Sequence, residues 1–175
     1  MNQKRQSQRW LVLLLLSTTL IAVGITVWAL FFNRTEDVVL VPDRAPQTEQ
    51  FAEPIPDDKG KPTESPKGGG SVSLTYSNQV TVDLSDETAS LIFANPGKSN
   101  QDMVVQVVIR DVVIVQSGRL EPGNQVTTLP LLDGTAQKLS PGGYEGKFAV
   151  FYYNRTTGEK AVVNTEIPVS ITVKS

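Results

Sequence analysis

The chain contains no cysteine and no histidine. That removes disulfide staples, thiolate nucleophiles, a lipid-modified N-terminal cysteine, the common zinc sites and every imidazole-based triad. An extracytoplasmic domain without disulfides is still feasible, because about 100 residues can bury a sufficient core alone. The absence favours a bacterial envelope over an oxidising animal secretory route. A basic excess is also missing, with 16 Lys and Arg against 18 Asp and Glu. Residues 1 to 32 carry only Lys4, Arg5 and Arg9, residues 33 to 70 net minus three, and residues 71 to 175 net minus two. Without a dense basic stripe, nucleic acid is not an expected partner.

What is present is divided unevenly along the chain. Trp10 to Phe32, WLVLLLLSTTLIAVGITVWALFF, has 23 residues with no charge and no proline. As a helix it would reach roughly 30 Å or a little more, the thickness of a bilayer core. Trp10 and Trp28 put amphipathic rings near its two ends. The basic residues precede the run, while Arg34 is followed at once by Glu36 and Asp37. The expected topology is therefore a cytoplasmic N-terminus at residues 1–9, one transmembrane helix at 10–32 and an extracytoplasmic remainder. The run is long for a cleaved signal peptide, and no small-x-small cleavage pattern follows it. Ser17, Thr18, Thr19 and Gly24 offer a helix contact face, and the absence of charge gives no support to a transport role.

Residues 33–71 hold Pro42, Pro46, Pro54, Pro56, Pro62 and Pro66 and end near Gly68-Gly69-Gly70. With fixed φ, missing donors and little apolar surface, this segment is expected to be a mostly unfolded tether. As a coil it would hold its ends roughly 35 Å apart. Val38 to Val41, VVLV, is its one apolar patch.

Residues 72–175 turn into short alternating runs separated by turn signals, the mark of an all-β domain. About seven or eight strands fit an immunoglobulin-like or fibronectin-like sandwich. The final hairpin is the most regular part. Tyr144, Phe148, Val150 and Tyr152 share one face and Ala149, Phe151 and Tyr153 the other. Placing Tyr152 opposite Ala161 would set Val150 against Val163 and pair Lys147 with Glu166. Pro168 cannot donate to a ladder, so the last strand should bend, change partner or run along an edge there. That register gathers Ala149, Phe151, Tyr153 and Val162 on the outer face. Either a loop or sheet covers them, or they are a contact patch for a partner.

Catalytic and ligand motifs fail on their spacing. Gly97-Lys98-Ser99 resembles the end of a phosphate loop, but Ile92 stands where the first glycine is needed. Ser65-Pro66-Lys67 and Lys98-Ser99 set a serine near a lysine without the helical spacing that would align nucleophile and base. Asp83, Asp86, Glu87, Asp102, Asp111 and Asp133 form no dense ligand loop for calcium. Asn33-Arg-Thr and Asn154-Arg-Thr match the glycosylation acceptor pattern, a chance match in the bacterial setting expected above. No cofactor, metal or catalytic residue is expected.

Leu120-Glu-Pro-Gly-Asn124, Leu139-Ser-Pro-Gly-Gly-Tyr144, the Tyr-Asn-Arg-Thr-Thr-Gly-Glu-Lys turn and the Asn164-Thr-Glu-Ile-Pro-Val-Ser-Ile-Thr-Val tail carry a resemblance. Over roughly residues 104–173 the chain resembles small membrane-anchored, immunoglobulin-like β-sandwich proteins of Gram-positive bacteria, some carried on conjugative elements. The resemblance implies a place in the envelope and supplies no catalytic residues. The function expected is an anchored, non-enzymatic binding or scaffold module, held in the bilayer through residues 10–32 and contacting a protein or cell-wall polymer. The alternative is an accessory subunit of an envelope secretion or conjugation machine.

Overall fold

The computed structural model describes residues 15–24, 41–64 and 69–175. Residues 15–24 are α-helical, and the Thr18 and Thr19 hydroxyls both donate back to the Leu15 carbonyl, at 2.9 and 2.6 Å. Among the described residues no helix is long and apolar enough to cross a membrane. The remainder of the 10–32 run, and Val38 to Leu40 of the VVLV patch, lie outside the described residues.

The rest is β structure. In chain order the strands are β1 (Glu53–Pro54), β2 (Thr75–Tyr76), β3 (Gln79–Asp83), β4 (Thr88–Asn95), β5 (Gln101–Ile109), β6 (Val112–Gln116), β7 (Asn124–Pro130), β8 (Gly142–Asn154) and β9 (Lys160–Lys174). A short 3₁₀ turn, Ala136–Lys138, precedes β8. The runs rich in Val, Ile and Phe became strands because branched and aromatic side chains pack well on a pleated surface. Arg110 and Asp111 both take positive φ, 48° and 66°, and close the β5–β6 hairpin in two residues. That sign of φ matches the right-handed twist of the flanking strands.

All nine strands belong to one sheet in the order β1-β7-β4-β3-β9-β8-β5-β6, with β2 also beside β4. Every pairing is antiparallel except β3 with β9, first long strand against last. The sheet is curled. Phe93 on β4 and Phe148 on β8 meet edge-on with ring centroids 5.6 Å apart. Three strand spacings separate β4 from β8, so a flat sheet would hold those rings about 14 Å apart. Curling brings Val82, Phe93, Val105, Val107, Phe148 and Val150 into one core, each no more than 1 % exposed. The all-β expectation holds.

Two expectations change in detail. In the last hairpin Phe148 faces Ile167 and Val150 faces Thr165, two residues off the anticipated register. A shift of two keeps the side chains from Thr165 onward on their anticipated faces, so alternation alone does not distinguish the registers, whereas Val163, anticipated inside, is exposed. Lys147 still reaches Glu166, diagonally, at 3.0 Å. Near the turn the register slips at a bulge, so that Tyr153 faces Lys160.

The second change concerns the tether. Residues 41–64 are not an unpaired coil but a strap bound to the β domain. The Ala45 N–H donates to Gly158, the Arg119 N–H to Gln47 and the Glu49 N–H back to Arg119. β1 pairs with β7, and the Thr63 N–H donates to Lys98. The Glu49 carboxylate is buried and accepts the N–H groups of Gly118 and Phe51. Any Cβ at Gly118 would lie 2.8 Å from the Gln47 carbonyl, so the strap can pass there only over a glycine. Prolines suit such a strap because they leave few donors unpaired, while the amides of Ala45, Glu49, Ile55 and Thr63 find partners in the domain.

Candidate interaction surface

The expected patch is divided by burial. Tyr153 is fully buried and Ala149 is 5 % exposed, Phe151 is half-buried, and Val162 is fully exposed at 103 %. Tyr153 disappears because the strap crosses it, its hydroxyl donating to the Pro42 carbonyl at 2.8 Å. Burial, with the Asp43 carboxylate adding to it, pushes the Tyr153 phenol up to about 12. Ala149 is a small side chain between Gln106 and Glu166 on the neighbouring strands. Phe151 lies between Val104 and Asn164. Ala149 and Tyr153 therefore offer no surface, and Val162, beside the β9 bulge, stands clear.

The surface left open is the free edge of β9. β3 joins β9 only from Ser170 onward, the Ser170 N–H donating to Asn78. By the alternation of backbone directions, Asn164 and Glu166 also turn their N–H and C=O groups away from β8, toward this open side. Pro168 points the same way with a carbonyl alone, and so accounts for its place on an edge.

Opposite runs the stretch from Ser71 to Asn78. Ser71 and Asn100 exchange hydrogen bonds, as do Ser73 and the Ser99 hydroxyl, and the Ser77 N–H donates to Ile92. The odd-numbered residues thus face β4 and the loop after it. Val72, Leu74 and Tyr76 turn their backbone groups the other way, toward β9. The two strands are paired over Gln79–Asp83 and Ser170–Lys174 and separate above them. Between them opens a cleft of about 660 Å³ lined by Val72, Gln101, Tyr152, Lys160 and Thr165 among others, with the exposed Val162 and Val163 at its rim. The Tyr152 hydroxyl and the Thr165 hydroxyl are 2.7 Å apart there, and burial raises the Tyr152 phenol, the hydrogen bond to Thr165 opposing. Sequence reasoning missed this cleft, since it arises from where two distant strands stop pairing.

The other charged groups hold the fold together. Asp102 is nearly buried, with Arg155 Nε at 3.3 Å and Arg119 Nε at 3.7 Å. Its Oδ1 has charge neighbours but no hydrogen bond of good geometry. Burial raises its carboxyl above the ordinary 3.8, outweighing Arg155 and Arg119, which lower it, while Glu121 raises it further. Because the folded chain binds this proton more tightly than the unfolded chain, the contribution is full below 3.8 and is lost as pH rises through the raised value. Asp102→Asn removes that slope. Urea unfolding from about pH 4 to pH 7 is expected to show the variant gaining on the native chain as pH rises. A difference that moved the other way would mean that the arginines dominate.

The Gly97-Lys98-Ser99 loop is not a phosphate cradle. The Asp58 carboxylate already accepts the Gly97 N–H at 2.6 Å and the Gly60 N–H at 2.7 Å, which hold it below the ordinary carboxylate range. Ser99 is buried against Ser73. Among the described residues no group of three or more acidic side chains gathers to hold a metal ion.

No protein-family model and no curated protein matches the chain. Among solved structures it is similar to AggA, the major subunit of aggregative adherence fimbriae type I from Escherichia coli. That match has 14 % identity and a TM-score of 0.29, over 61 % of this chain and 96 % of the other. It is also similar to the CooA pilin subunit from enterotoxigenic Escherichia coli, at 15 % identity and a TM-score of 0.24, over 59 % and 99 %. Nothing about function rests on likenesses of this degree.

Proposed function

We propose that the protein is a single-pass, membrane-anchored binding module without catalysis, whose extracytoplasmic β domain captures an extended polypeptide segment in the cleft between Val72–Tyr76 and the free edge of β9. In this reading the curled sheet is an immunoglobulin-like sandwich, with β1, β7, β4 and β3 in one layer and β6, β5, β8 and β9 in the other. The anchor is the uncharged run from Trp10 to Phe32.

The observation that carries the reading is the pair of open backbone edges facing one cleft. Unpaired N–H and C=O groups along a strand are a template for another strand, and two such edges can pair with both sides of one inserted segment. A wall polysaccharide lacks that regular alternation of donors and acceptors, so polypeptide is the better match. Glu166 and Pro168 on the β9 edge restrict it, by charge and by a missing donor, against pairing with any strand that arrives.

Photo-crosslinkers placed singly at Val72, which lines the cleft, and at Asn164 in intact cells test this. Both are expected to capture the same polypeptide. Asn164→Pro removes only an N–H that points into the cleft, and should reduce the Val72 adduct about tenfold or more, the effect of one lost edge bond together with a displaced strand. Unfolding of the variant should shift little. Adducts to different polypeptides, or a Val72 adduct untouched by Asn164→Pro, would overturn the two-edged mode of capture.

A further inference from the structure

We infer that the end of the β domain bearing Val162 and Val163 rests on the lipid surface, so that the cleft opens sideways beside the membrane. This rests on the anchored reading proposed above. Val162 is 103 % exposed and Val163 69 %, two adjacent valines in solvent on a strand whose other end alternates cleanly between buried and exposed. The bulge opposite Tyr152 is what turns them out. Half-buried Phe151 belongs to the same outer face, facing Asn164 across the hairpin.

The occupant follows from where the chain leaves the domain. The strap reaches this same end. The Lys160 N–H donates to Asp43 at 2.9 Å, and Lys160 Nζ to the Val41 carbonyl at 3.4 Å. Between Val41 and the last residue of the apolar run, Phe32, the sequence has only residues 33 to 40. Eight residues extend at most about 28 Å. β9 runs from Lys160 to Lys174, a length of about 45 Å. The link holds the Val162 end within about 28 Å of the bilayer in every orientation, whereas the far end reaches it only when the domain tips over. A short link also keeps this end at an effective concentration in the millimolar range, so a weak contact is enough. Arg44, Arg155 and Lys160 on this end nearly balance Asp43 and Glu159. The contact is therefore apolar and does not depend on anionic lipid.

Because the chain has no cysteine, one thiol dye can be placed at will. Val162→Cys and Thr172→Cys put it on the same strand, ten residues apart, both at exposed positions. The full chain is reconstituted in phosphatidylcholine nanodiscs containing nitroxide-labelled lipid. The dye at 162 is expected to be quenched at least about threefold more than at 172, a separation of about 33 Å. Co-elution with the discs but equal quenching at the two positions would overturn the membrane contact alone, leaving these valines to the partner. A chain that does not co-elute with the discs would overturn the anchored reading, and the contact with it.

Discussion

Phe148→Ala is expected to destabilise the β domain by about 3–5 kcal/mol, on the order of 15 °C in Tm. Phe148 is fully buried and touches Phe93 edge-on, with ring centroids 5.6 Å apart, and Tyr76 at 6.4 Å. Each contact joins strands that are not neighbours in the sheet. Removing the ring loses its transfer free energy and leaves a cavity where the curl closes, and strands fixed on both sides relax into it poorly. Urea unfolding at constant m-value measures the loss. A loss under about 1 kcal/mol would mean that the two halves of the sheet do not pack through this residue.

Tyr153→Ala should be nearly as costly, about 3 kcal/mol or more, with a signature of its own. The ring is buried on the outer face of β8, and its hydroxyl donates to Pro42 at the start of the strap. The variant loses both ring burial and the bond that ties down the strap's first residues. Limited proteolysis is therefore expected to cut between residues 42 and 55 before the sheet unfolds, as locally released segments do. Tyr153→Phe keeps the ring and should cost about 1 kcal/mol, the worth of one hydrogen bond. Phe151→Ser, at a half-buried position, should cost less than Tyr153→Ala by a wide margin. Equal losses at 151 and 153 would contradict the covering of Tyr153 by the strap.

These outcomes bear on how much of the molecule can be read from its residues. Strand positions were readable because they are local. Alternation in Gln79–Asp83, in residues 88–93 and in the second half of β9 is repeated in their burial, and Arg110-Asp111 turned the chain as anticipated. The inner face of the last hairpin, Phe148, Val150 and Tyr152, is buried as its pattern required. The register was not readable, because pairing Phe148 with Thr165 or with Ile167 places the same side chains inside. The strap was not readable either. Its side chains are mostly polar or proline, and its attachment lies in backbone groups and one carboxylate whose partners are far away in the chain. Glu49 and Gly118 are 69 residues apart, and Pro42 and Tyr153 are 111 apart. No local pattern records such pairs.

By itself, then, the sequence determined the division into an uncharged apolar run, a proline-rich stretch and a β domain, and the inner and outer faces of β8 and of the second half of β9. It did so because hydrophobic burial in a pleated strand repeats every two residues and leaves that period in the chain. Only the tertiary structure decided that the proline-rich stretch is bound, that Tyr153 and Ala149 are covered while Val162 is open, and that two strands separate into a cleft. Those features depend on which distant backbone groups meet, and every peptide unit carries the same donor and acceptor whatever its side chain.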